Sequence, residues 1–582
     1  MPAKKRARSS AVDDRLEFQR KYQDAISISG LSSQTLSKVL ETLDFTATRY
    51  EQVKIRDSRF DACVVSEEFP LIDGGTFTLE YLEPSLMMQQ VFDECPHVAA
   101  QYASALVSTQ CSQAKRWNLI IGYDEFVPGD KLALKNQRKL MVISFAFVEL
   151  GRALLCKDAV WFTPLCVRTS MLSRIEGGWG HVLKRFLYRI LLGSMGLATV
   201  GVPIVSGGAV HLLYGRLRFL VADAVGHQAG LDWRGHASIR PCFKHSNVFS
   251  KSCDMVGRIA NCVDVTCEDA TKFIACKAAD VYFNADLMVE AEQQYDRGEM
   301  AAGRFAALEK ACPQKANRHG VLHDKLLREE VDFVEVMWLD WMHCLLADGV
   351  MSVEAYLFIA TYTTQVAVRN FLSSDWIFPK AAQAKCKKLK RLFDECHCDK
   401  NDEKGKVRCQ ASELLSLYTL IRAHADLNLP RADGQPARES FEALCTVIDI
   451  IKYAKRGYIS TQAAGQRMRQ AVGRFMSMHK RAHGEEHITP KFHWLFDIAD
   501  QLEASPADYV VDMFIIERLH LRIKSEANNV KNTSRFERSV LAATFNSQAN
   551  RLRCREDIDG LRGKSASWPG TGVIIYPPTK MT

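Results

Sequence analysis

Three apolar runs between residues 116 and 167 set the texture of this chain. Arg116 to Phe126 (RWNLIIGYDEF) is apolar until it meets acids. Lys139 to Leu150 (KLMVISFAFVEL) is rich in β-branched and aromatic residues, and Asp158 to Val167 (DAVWFTPLCV) is a third short apolar run. Val127-Pro-Gly-Asp130 lies between the first two and is a turn signal. Three consecutive strands joined by turns are predicted. In Arg174 to Leu192 the apolar positions Val182, Phe186, Leu187, Ile190 and Leu191 recur at three and four, which predicts a helix. Val210 to Asp223 (VHLLYGRLRFLVAD) reads as a strand or bent hairpin, and its last stretch again runs apolar into an acid. The predicted order is β-β-β-α-β.

The flanking regions read differently. Residues 1–30 look like a basic tail with a short helix. Residues 31–115 are a mostly helical region, with Leu36, Val39, Leu40 and Leu43 at helical spacing. The predicted core occupies 116–276, an all-helical stretch 277–500, a last core helix 501–550 and a tail 551–582. Val331–Val350, Val353–Leu372, Ala411–His424 and Ser440–Tyr453 carry helical apolar spacing. Asp394–Arg408 and Pro430–Ala437 read as loops, and Val573–Tyr576 is a candidate edge strand or a trailing end.

Composition narrows the class. Of 582 residues, 76 are Lys or Arg and 68 Asp or Glu, a net +8. With 47% apolar and 25% charged residues, and only 33 Gly and 17 Pro, a collagen-like or largely disordered chain is excluded. The 18 cysteines include no Cys-x-x-Cys pair, so the usual zinc-ribbon and thioredoxin-like signatures are absent and buried free thiols are expected. The opening KKRAR cluster is a candidate nuclear import signal or a solvated tail; no apolar stretch follows it, so no secretory signal is expected. No membrane span is expected either: the longest candidate, Ile190–Val205, is short and interrupted by Gly193, Gly196, Gly201 and Pro203. A charge of +8 is a mild bias toward polyanions.

Asp124 in GYDEF, Asp223 in LRFLVAD and Glu517 in FIIERLH stand out as candidate chemistry. Each alone reads equally as a turn former, a helix cap or an exposed ion pair. Together with the β-β-β-α-β order they are what a ribonuclease H-like mixed sheet needs, interrupted here by a large all-α insertion. In that fold strands one and four are neighbours, their acids converge, and a later helix brings a third. Such a cluster would repel itself without cations, and Mg²⁺ or Mn²⁺ takes oxygen ligands. Glu125, Asp130, Glu149, Asp232 and Asp512 are rival acids.

The series GYDEFVPGDKL, GLDWRGHASIRPCFKHSNV, DWMHCLLADGV, TPKFHWLFDIADQL, FIIERLHLRIK and FERSV resembles the CACTA and Plavaka type of DDE DNA transposase, over about residues 116–545. The resemblance implies cut-and-paste DNA transposition by a metal-dependent core, with the catalytic and metal-binding triad on Asp124, Asp223 and Glu517. It matches Asp340 and His343 to an Asp-x-Met-His motif, and His493 and His520 to positions near the active site or the DNA. His520, Lys524, Lys531 and Arg535 become candidate nucleic-acid contacts, against the ordinary reading of structural histidines and a solvated helix face. The resemblance also implies DNA as partner, a nuclear location and a homo-oligomer. The chain departs from the family in two places: it shows no DNA-binding zinc finger of the kind that often precedes such a core, and PCFKHS offers Cys242 and His245 where a Cys-x-x-Cys pair is usual. With Cys253, Cys262 and Cys267 these form a poorly spaced candidate Zn²⁺ set, and Cys396, His397, Cys398 and Cys409 a second. Three readings therefore stand: a metal-dependent transposase, a catalytically inactive descendant that binds DNA, and a helical scaffold with incidental acids.

Overall fold

A computed structural model describes residues 58–129, 138–430, 435–530 and 535–553. It is an α/β protein built on one mixed five-stranded sheet, with a large helical block in the second half. The strands are β1 (Trp117–Phe126), β2 (Leu140–Phe147), β3 (Phe162–Arg168), β4 (Gly215–Ala222) and β5 (Met337–Leu339), in the order β5-β4-β1-β2-β3. β1, β2 and β3 are antiparallel neighbours, while β4 and β5 run parallel to β1. The runs pattern as strands because they are buried on both faces: all eight residues of β2 are buried.

Helix α1 (Gly178–Leu192) follows β3 and buries Val182, Leu183, Phe186, Leu187, Ile190 and Leu191. Each such side chain removed from water contributes about 1.5–3 kcal/mol. α2 (Ala224–Gly230) follows β4 directly. Beyond β5 come α3 (Trp341–Leu345), α4 (Val350–Tyr362), α5 (Ala411–Asn428), α6 (Pro436–Arg456), α7 (Thr461–His483) and α8 (Pro490–Glu503). The chain then returns to the sheet with α9 (Phe514–Asn529) and α10 (Phe536–Arg553).

Side chains alternate along β1. Tyr123 points to the face that carries Trp179 of α1 and His227 of α2, with ring centroids 5.6 and 5.9 Å away. Gly122 points to the opposite face, where a Cβ would come within 3.0 Å of Ile516 on α9. The missing side chain lets α9 lie directly on β1, and Asp124, two residues on, faces the same helix.

Several expectations change. β5 falls inside the stretch expected to be all-helical, and Val331–Val350 is a four-residue helix, a strand and α3 rather than one helix. Residues 58–115 include a β-hairpin (Val64–Pro70 with Thr76–Leu82) as well as helices, because its alternating pattern is short and partly exposed. Val353–Leu372 breaks at Thr363, where Thr364 caps a new helix. Asp394–Arg408, expected as a loop, holds the helix Glu395–Lys404. Trp341–Tyr362 is long and apolar enough to cross a membrane by length and composition, but its apolar window is 61% buried within the fold. The KKRAR cluster, the Leu36–Leu43 helix, Asp130, Lys531 and Val573–Tyr576 lie outside the described residues.

Candidate functional site

The carboxyl ends of β1, β4 and β5 carry a row of aspartates. Gly122 pairs with Val221, and the same register carried two residues on sets Asp124 level with Asp223. Leu339 pairs with Ala222, so Asp340 follows on the other side of Asp223. A crevice at the carboxyl edge of parallel strands is where open α/β sheets place ligands. Asp223 also caps α2: its Oδ1 accepts from Gly226 N at 2.6 Å, which uses one of its two oxygens. Glu517 arrives on the first turn of α9.

The electrostatics tie these groups together. Burial pushes the Asp124 carboxyl up to about 7; His343 opposes this, and the negative charges of Asp223 and Glu517 add to it. Burial would lower His343, but the hydrogen bond and charge of Asp340, with the charges of Asp223 and Asp124, hold it up at about 9. His343 Nδ1 lies 2.6 Å from Asp340 Oδ2, and its Nε2 lies 3.7 Å from Glu517 Oε1. His520 Nδ1 is 3.6 Å from Asp124 Oδ2, and its ring stacks on Phe126. Burial and the His343 charge lower His520 to about 3, so it is neutral.

Asp340 organises this cluster. It is fully buried and is the N-cap of α3. Its Oδ2 accepts from His343 N and Nδ1, and its Oδ1 accepts from Met513 N at 3.0 Å, the residue that precedes α9. One carboxylate thus aims His343 and tethers the helix that carries Glu517. Asp340→Ala leaves three donors without an acceptor, the fully buried Met513 N and the half-buried His343 N and Nδ1, and is expected to cost about 3 kcal/mol. Urea unfolding reads this out; an unchanged midpoint would show that Asp340 tethers nothing.

The rival acids are engaged elsewhere. Glu125 pairs with Lys139 and accepts from Thr169 Oγ1. Glu149 accepts from Asn118 N and Nδ2. Asp232 accepts from Asn317 at 2.8 Å, and Asp512 pairs with Lys455. The acid row suits hard cations in one respect: a carboxyl pushed up by burial and by neighbouring negative charge is stabilised by a bound positive ion. Asp124, Asp223 and Glu517 are not, however, a set with donor atoms all within 4.8 Å of one another. Ligands spread over two ions about 3.5–4 Å apart need not be.

Asp124 gives a pH dependence whose sign is fixed. Its folded value, about 7, lies above the unfolded value of about 3.9. Between those values the folded chain holds a proton that the unfolded chain has lost, so metal-free stability falls as pH rises from about 4 to 7. His343 contributes stability below about 6.5 that is lost as pH rises through about 9. Asp223, Glu517 and His520 face the same pair. In chelator, Asp124→Asn should therefore lose less in melting temperature between pH 5 and pH 8 than the intact chain; an equal loss would disprove the assignment.

A second cluster lies on α8. Cys242 and His245, in the loop after α2, meet His493 and Asp497, which are four apart on α8, and all four are buried. Cys242 Sγ is 3.6 Å from His245 Nδ1 and 3.5 Å from Asp497 Oδ1. His245 Nδ1 is 3.2 Å from His493 Nε2 and 2.9 Å from Asp497 Oδ1. His493 Nε2 is 3.9 Å from Asp497 Oδ1. Ligands about 2.0–2.3 Å from a tetrahedral ion sit about 3.3–3.8 Å apart, so these four donors have the spacing of a metal cage. Burial lowers His493 to about 4, leaving it in the neutral form that ligates. His245 Nε2 faces Asp500 at 3.5 Å, a carboxylate behind a ligating ring.

This corrects the expected set. Cys253, Cys262 and Cys267 are not in the group, and the Cys396, His397, Cys398 and Cys409 run does not gather. His493 belongs to this cage rather than to the acid row. His520, expected near the active site or the DNA, is 6% exposed and packs against β1 beside Asp124. Lys524 is half-buried and Arg535 exposed. Asp497 was missed, although a His and an Asp four apart on a helix share a face. No family model and no curated protein matches this chain.

Proposed function

We propose that this chain is a DDE-type DNA transposase, or a protein derived from one, with a ribonuclease H-like core. The observation that carries this reading is the level row of Asp124, Asp223 and Asp340 at the edge of three parallel strands, with Glu517 delivered beside it by α9. The strand order β5-β4-β1-β2-β3, with the first three antiparallel, supports the same core.

On this reading Asp124, Asp223 and Glu517 hold Mg²⁺ or Mn²⁺. Bound there, the ions would activate the attacking oxygen and stabilise the leaving oxygen of a phosphodiester. The chain's own residues do the rest. Asp340 holds His343 and α9 in place. His343, charged at neutral pH, offsets the acids and can donate to a phosphate oxygen. His520 and Phe126 wall the Asp124 carboxylate. Water attacks first, and the freed 3′-hydroxyl then attacks target DNA. Lys524 and Arg535 are candidates to meet phosphates, as is Lys531, which lies outside the described residues. Cys242, His245, His493 and Asp497 would hold Zn²⁺ as a structural ion fastening the post-α2 loop to α8. The proposal includes a nuclear location and assembly of two or more copies.

The test is strand cleavage on supercoiled and inverted-repeat DNAs. Cutting with Mg²⁺ or Mn²⁺ but not in chelator supports it. DNA retention without cutting on any substrate favours the second reading, an inactive transposase-derived DNA-binding or scaffold protein.

A further inference from the structure

The helical block holds a third polar cluster that the proposed reaction does not use. Glu354 lies on α4 with no exposed surface. His479 and His483 are four apart at the end of α7 and so share a face. Donor atoms of the three lie within 4.8 Å of one another. Glu354 Oε2 and His479 Nδ1 are hydrogen-bonded at 2.7 Å. The other polar atoms are left over: Glu354 Oε1, His479 Nε2 and His483 Nε2 are buried without a hydrogen-bond partner, and so is Ser440 Oγ on α6.

That is an expensive arrangement for a core. A buried polar atom without a partner costs about 1–3 kcal/mol, and more when charged. His483 Nε2 stands 3.8 Å from Glu354 Oε1, too far for a hydrogen bond. It is within a few tenths of an ångström of the roughly 3.4 Å that separates two donors around one tetrahedral ion. The surroundings are dry and stiff. Phe358 of α4 stacks on Phe441 of α6 at 4.6 Å, and His479 packs between Phe475 and Phe492. An apolar shell of this kind keeps water from competing for a metal. Two imidazoles and one carboxylate are the donors of a zinc-class ion rather than of Mg²⁺.

We propose that Glu354, His479 and His483 form a Zn²⁺ site that staples α4 to α7, with Ser440 Oγ or a water as the fourth ligand. The site is separate from the acid row and from the Cys242 cage, and it stands whether or not the chain cuts DNA. It fastens the C-terminal end of α7 just before the turn into α8, so it sets the rigidity of the block that precedes Glu517.

The measurement is zinc per chain by elemental mass spectrometry on the intact, folded chain and on His483→Ala and Glu354→Gln. Each variant should lose about one equivalent relative to the intact chain, whatever the occupancy of the Cys242 cage. Full retention of zinc by either variant overturns the proposal. Co²⁺ added to chelator-treated chain gives a second reading: Cys242→Ser should retain a visible d–d band from the nitrogen- and oxygen-ligated ion, and Cys242→Ser with His483→Ala should lose it. A Cys242→Ser chain with no such band also overturns it. Circular dichroism matched to the intact chain confirms that the variants are folded.

Discussion

Asp223→Asn is expected to lower Mg²⁺-dependent DNA strand cleavage at least about a thousandfold, which is about 4 kcal/mol of barrier at 1.36 kcal/mol per decade. The change keeps the shape of the side chain, and an amide oxygen can still cap α2 by accepting from Gly226 N. What it removes is one negative charge from the centre of the row. Asp223 lies between Asp124 and Asp340 in the register, so no neighbour can take over its place. Removing it also lowers the Asp124 carboxyl toward its ordinary range, because Asp223 is one of the charges that push it up. The variant should fold normally and keep its affinity for DNA. Cleavage within tenfold of the intact chain, under the same Mg²⁺, would remove Asp223 from the chemistry and with it the proposed reaction.

The second large effect is structural. Cys242→Ser should release the ion proposed for the cage and destabilise the chain by about 3–5 kcal/mol, the range for stripping one partner from a buried charged set. Burial holds the Cys242 thiol up at about 11 when no ion is present, so filling the cage must release a proton, and affinity should strengthen as pH rises. Asp497 is equally buried, with no exposed side-chain surface. Cys253→Ser is the matched control, since Cys253 lies outside the group, and it should change neither zinc content nor unfolding midpoint. Equal behaviour of the two serine variants would show that the cage holds no ion.

How far the chain could be read beforehand depended on how locally each feature is written. β1 and β4 were legible because each is an unbroken apolar run ending in an acid, and their parallel pairing follows once a helix separates them. β5 was not, because Met337–Leu339 is three residues long and sits between Phe333 and Leu346 in a stretch whose apolar residues suit a helix equally well. Buried parallel strands lack the alternation that would mark them. Glu517 has no local signature; a Glu beside an Arg on a helix is ordinary, and only its conjunction with the two strand-end acids and with a known motif raised it. The zinc-like cage was half legible. Cys242 and His245 are neighbours in sequence, but their partners lie about 250 residues away on α8, and Cys253 was nearer only along the chain. The Glu354 cluster was missed although His479 and His483 stand at metal-ligand spacing, since their carboxylate comes from another helix.

The tether from Asp340 to Met513 crosses 173 residues. At about 5–20 residues per second of synthesis, some ten seconds or more separate the appearance of Asp223 and Asp340 from that of Glu517. A nascent chain therefore carries Asp124, Asp223 and Asp340, on a finished sheet, long before Glu517 can join them. Any product released early by the ribosome, or clipped by a protease before α9, retains the capacity to fold in part but has no complete set of acids. The order of translation thus works as a safety catch for the proposed reaction: the acids it needs come together only once the chain has been made through α9 and has closed on itself.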